Sequence, residues 1–168
     1  MKKIVLALLL VSFMSVGLFA QRPDGWGIGV MAQYGMNWDG FHGSGSAAFS
    51  LKAPQLPIYW GVNMRFTNDY FRISVSGDYY LLEQSLTDDI NFGWYLGLGA
   101  YVGLVTNGGA GLFFGGRLPV GLYIMPVVEV PIEIFMELAP SLGIAFFDDT
   151  VTFPDGGLQF AIGIRFWL

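Results

Sequence analysis

From Gly25 onward the chain alternates. In GWGIGVMAQYGM, Ile28, Val30, Ala32, Tyr34 and Met36 share one parity, and Gly27, Gly29, Met31, Gln33 and Gly35 share the other. This period of two is the signature of an extended strand with unlike faces. It recurs in SAAFSLK, where Ala47, Phe49 and Leu51 align, in IYWGVNMRF (Ile58, Trp60, Val62, Met64, Phe66) and in FRISVSGDYYL (Phe71, Ile73, Val75, Tyr79). It continues through FGWYLGLGAYVGL, LFFGGRLPVGLYI, IEIFMELAPSLGI and the closing GLQFAIGIRFWL. Glycines two or four positions apart in FGWYLGLGAYVGL oppose a helix there. The pattern predicts eight strands. The intervening NWDGFHGSG, APQLP, TNDY, EQSLTDDI, TNGGAG, MPVVEVP and FFDDTVTFPD are rich in turn formers and read as connections.

The charges sharpen this picture. Arg65, Arg72, Asp78, Arg117, Glu133, Glu137 and Arg165 all fall on the parity shared with Gly, Tyr, Ser and Asn, and none falls on the apolar parity. A face kept free of charge in every strand is what a bilayer enforces, since an Arg facing lipid at mid-membrane costs roughly 2–4 kcal/mol. Backbone groups in lipid must also be paired, which a closed antiparallel sheet achieves and an open one does not. The expected fold is all-β: an eight-stranded antiparallel transmembrane β-barrel with up-and-down topology. The inverted arrangement, a soluble lipid carrier with its apolar face inward, would overfill the narrow interior of eight strands with Phe, Trp, Leu and Ile. Tyr34, Phe66 and Phe71 toward one rim, and Trp26, Trp94, Phe166 and Trp167 toward the other, are placed for interfacial girdles.

Composition agrees. Of 168 residues, 54% are hydrophobic and only 12% charged, which leaves too little charge to cover a water-facing surface. No uninterrupted apolar run reaches the roughly 18–20 residues of a membrane helix. Residues 1–20 have the layout of a secretory signal peptide: Lys2 and Lys3, an apolar run from Ile4 to Val11, then SFMSVGLFA before Gln21. Cleavage is expected after Ala20, leaving one domain over 21–168. The absence of Cys excludes disulfides, thiolate metal sites, a catalytic Cys and a lipid-modified N-terminal Cys. A net charge of −5, more acidic still once Lys2 and Lys3 are removed, argues against a nucleic-acid partner.

With its alternating apolar strands and a C-terminus in FWL, the chain resembles the small eight-stranded outer-membrane barrels, the group of OmpX, OmpW and the OmpA membrane domain. GGRLPVGLYIMP, PIEIFMELAP and GIRFWL further resemble a pattern in outer-membrane β-barrel domain proteins, including a group in spirochaetes. The resemblance implies a bacterial outer-membrane location, surrounding lipid, and insertion by the outer-membrane assembly machinery. Phe160, Ile162, Ile164, Phe166, Trp167 and Leu168 would then form the C-terminal assembly signal, although the chain ends in Leu168 and not in the usual Phe or Trp. No agreed activity comes with this family.

The residues offer few routes to chemistry. His42 is the only histidine, and with Ser44 and Asp39 it outlines a lipid-modifying hydrolase, in which imidazole would activate a hydroxyl and a carboxylate would orient the imidazole. A Gly-rich loop opposes the rigid geometry that this requires. Asp148, Asp149 and Asp155 suit either a divalent cation or a solvated turn, with the turn favoured because Ca²⁺ needs several convergent oxygens. No cofactor or metal is expected. GLGAYVG lacks the following helix of a dinucleotide site. The inward charges are expected to pair into a network filling the lumen of a monomer. The reading that follows is a non-catalytic protein with a membrane-structural or surface-contact role. A host molecule is the possible partner in such contact; the alternatives are passage of small hydrophobic solutes through a lateral opening, or the hydrolase around His42 and Ser44.

Overall fold

The computed structural model describes residues 23, 25–38, 43–66, 70–87, 91–106, 109–126, 130–147 and 150–168. The proposed signal segment 1–20, Asp39, His42, Asp148 and Asp149 lie outside the described residues. Within them the chain is entirely strand and turn: β1 (Gly27–Asn37), β2 (Gly43–Lys52), β3 (Tyr59–Phe66), β4 (Phe71–Thr87), β5 (Phe92–Thr106), β6 (Ala110–Arg117), β7 (Val120–Ile124), β8 (Ile132–Phe147) and β9 (Thr150–Trp167).

Consecutive strands pair antiparallel except β6 and β7, which lie end to end between β5 and β8, and β9 returns to β1. The result is a closed ring of eight hydrogen-bonded strands. Closure is in full register from Gly27 opposite Trp167 to Asn37 opposite Gly157. Beyond it, Trp26 and Leu168 exchange backbone hydrogen bonds of 3.1 and 2.8 Å. This end of the ring is the terminal rim. β1, β3, β5 and β8 end at the opposite rim.

LFFGGRLPVGLYI, expected as one strand, is interrupted at Leu118–Pro119. Proline has no N–H to give the ladder, so regular pairing lapses there. The wall nevertheless stays joined, because Gly97 N–H donates to the Pro119 carbonyl at 2.7 Å and Leu118 N–H to the Pro140 carbonyl at 3.0 Å. Two expected loops are largely strand. Glu83–Thr87 of EQSLTDDI continues β4, and FFDDTVTFPD contributes the end of β8 and, from Thr150, the start of β9. Likewise β2 starts at Gly43, inside the expected first loop.

The faces separate as the alternation demands. Ile28, Val30, Phe49, Leu98, Val102, Leu142 and Ile162 point outward, each about half exposed, while Tyr95, Phe113, Glu133 and Arg165 on the other parity are buried inside the ring. Trp167 differs from its expected girdle position: it is an inward residue, 3% exposed, packed with Tyr59 and Met125. The interior is filled from the terminal rim by Tyr59, Tyr80 and Tyr95, which stack with centroid spacings of 4.1 and 4.2 Å. Glycines make room for these rings; a Cβ at Gly121 would overlap the ring of Tyr95.

Candidate functional site: the charged interior

All seven charges singled out by parity lie inside the ring, and they divide into three levels. Nearest the terminal rim, Glu133 of β8 stands directly opposite Arg165 of β9. Their Oε1 and Nη1 are 2.7 Å apart, with side-chain exposures of 0% and 2%. Trp167 Nε1–H donates to the other Glu133 oxygen at 2.9 Å, and Arg165 also donates from Nη2 to Ser50 Oγ at 2.9 Å. The guanidinium lies 4.6 Å from the ring centre of Phe135 and 4.9 Å from that of Tyr59. These aromatic faces supply electrostatic contact that water would otherwise provide.

At mid-height Arg117 of β6 sits between two carboxylates. It donates a short hydrogen bond to Glu137 Oε1 and approaches Asp78 Oδ1 at 3.3 Å. The Asp78 contact is an ion pair without hydrogen-bond alignment, since Arg117 Nε and Asp78 Oδ1 have no hydrogen-bond partner among the described residues. Tyr95 Oη–H donates to Glu137 Oε2 at 2.9 Å, and Arg117 Nη1 to Gln159 Oε1 at 3.3 Å. Register explains the meeting of Asp78 and Arg117: both lie opposite Gly99 of β5, one on each side. A Cβ at Gly99 would occupy the place of the Asp78 carboxylate.

Toward the opposite rim, Arg72 of β4 pairs with Asp155 of β9 at 2.9 Å and lies 3.4 Å from the ring centre of Phe113. Asp155 is therefore an interior ion-pair partner and not a turn acid. Its odd number matches Gly157, Gln159 and Arg165, so the parity of β9 extended through GGLQ was a usable signal. Arg65 is different. It enters the interior but forms no ion pair among the described residues, and its Nε is buried without a hydrogen-bond partner.

Glu83 also points inward, opposite Tyr95. Parity could not have found it, because β4 slips register between Tyr80 and Leu82 and the bulge reverses the faces of the residues beyond. Of the hydrolase trio only Ser44 lies among the described residues, near the start of β2. Among the described residues, no three of His, Cys, Asp and Glu are grouped to hold a metal ion. The six residues at the C-terminus lie on the closing strand and just past it. Phe160, Ile162, Ile164, Phe166 and Leu168 point outward, and Trp167 inward.

This arrangement provides a rigid interior of charge pairs suited to holding strands together and to contacting small ions or water from the opposite rim. Comparison with known proteins adds no family to that geometry: no family model, curated protein or solved structure matches the chain.

Proposed function

We propose that the chain is a transmembrane β-barrel of a bacterial outer membrane, a non-catalytic integral protein with a membrane-structural or surface-contact role and a lumen filled by side chains. One observation carries this reading. The outer face of the ring is a continuous belt of half-exposed Ile, Val, Leu and Phe, while the charged side chains Arg65, Arg72, Asp78, Arg117, Glu133, Glu137, Asp155 and Arg165 turn inward. Water gives no reason for buried charge beneath an apolar exterior. A bilayer gives one, because it solvates the belt and penalises charge on it. In this reading residues 1–20 direct export, lipid is the principal partner, and the outward residues of β9 together with Trp167 present the signal read by the assembly machinery.

Lateral passage of hydrophobic solutes receives less support, since hydrogen bonds bridge the wall even at Pro119. The test is migration of the membrane-extracted protein on a denaturing gel. A closed, lipid-embedded barrel runs at a different apparent mass before and after boiling. Identical migration, or recovery of the protein in the soluble fraction, would sink the proposal.

A further inference from the structure

The opposite rim opens into a cavity of about 60 Å³, several times the roughly 10–15 Å³ that one water requires. Its wall includes Gln33, Ser46, Asn63, Arg65, Arg72 and Gln159, with Arg117 at the floor. Among the described residues lining it there is no carboxylate. The interior acids Asp78 and Glu137 instead border a separate, deeper void of about 10 Å³.

Two features leave positive charge at this mouth uncompensated among the described residues. Arg65 and Arg72 stand directly opposite each other on β3 and β4, a juxtaposition of like charges that destabilises a sheet unless it is neutralised. Asp155 neutralises Arg72 alone. Arg65 forms no ion pair among the described residues, and its Nε is buried without a partner, a state that costs stability until an acceptor arrives. Gly35 gives the Arg65 guanidinium its place, since a Cβ there would lie 2.9 Å from Nη2. Asn63 has a buried oxygen without a hydrogen-bond partner among the described residues. Turning that amide would present its NH₂ group in the same place.

We propose that this mouth binds a small tetrahedral oxyanion of the phosphate or sulfate type, held by Arg65 and screening it from Arg72. A planar guanidinium offering parallel N–H groups is the side chain best matched to such an ion.

The experiment is calorimetric titration of inorganic phosphate into the full chain refolded in a maltoside detergent, which carries no phosphate. Saturable binding is expected, weakened by at least about tenfold in Arg65→Gln, partly retained in Arg65→Lys, and unchanged in Lys52→Gln at the terminal rim. A thermal readout guards against a folding defect: phosphate should raise the unfolding midpoint of the wild-type protein and leave that of Arg65→Gln unmoved. Absence of saturable binding, an effect reproduced by chloride at equal ionic strength, or undiminished binding by Arg65→Gln would overturn the proposal. Binding of glycerol phosphate in place of inorganic phosphate would overturn the small-ion assignment in favour of a lipid headgroup.

Discussion

Glu133 and Arg165 show what a buried charge requires of its neighbours. Each is almost fully enclosed, so neither is stable without the other: the Coulomb attraction and the hydrogen bonds from Trp167 and to Ser50 offset their lost hydration. Removing one partner is far worse than removing both. Glu133→Ala should therefore destabilise the protein by about 3–5 kcal/mol, and the double replacement Glu133→Leu with Arg165→Met should recover most of that loss. Urea unfolding of the refolded protein measures both; equal losses in the single and double variants would show that the pair itself contributes little. Such pairing was only half legible in the sequence. Parity placed Arg165 and Glu133 on the inner face, but that Asp78 reaches Arg117 across Gly99, while Arg65 meets another arginine, depends on register between strands. Register is set by packing and turn geometry, which a single strand's pattern does not contain.

Strands were legible wherever two unlike faces repeat without interruption, as in β1, β3 and the second half of β9. The pattern failed where the backbone breaks its own period. In β4 the slip at Leu81 reverses the faces, so Glu83, Gln84 and Ser85 look like a polar loop although they pair with Tyr95, Trp94 and Gly93. In β9 an irregularity against β8 between Gly143 and Ala145, at the place of Phe153 and Pro154, likewise disguises the start of the strand. Under the membrane reading, polar residues near a rim carry no outward apolar signal, because neither face there need meet lipid. The regular part of β9 yields the test at this scale. Ile162 lies outward, opposite Ala32 and Met136, well inside both ladders. Under the membrane reading Ile162→Arg should cost roughly 2–4 kcal/mol when unfolding is followed from lipid vesicles. If the outer face met water, the same exposed substitution would fall within about 0.5 kcal/mol of the wild type.

For the molecule as a whole, closure and filling are separate achievements with separate consequences. Pairing of β1 with β9 removes both sheet edges, which is what permits an apolar exterior without edge-to-edge aggregation. Filling decides what the enclosed space can pass. Below the arginine-lined mouth lie the Arg117 level, a void at the lower limit for one water, and then the stack of Tyr59, Tyr80 and Tyr95 with Tyr123 and Phe135 beside it. Charge pairs and aromatic rings thus close the path twice, by different physics. An ion would have to be dehydrated to pass the first barrier, and the closely stacked rings of the second leave it no room to keep its water. The wild-type protein reconstituted in a planar bilayer should therefore carry no steady current. Replacing Tyr80 and Tyr95 together by Ala removes two rings that bury roughly 150–250 Å² each and should admit small, flickering currents while the Arg117 level remains. Steady wild-type conductance would mean that the tyrosine stack moves aside in a membrane, and the interior would then be a gate and not a filling.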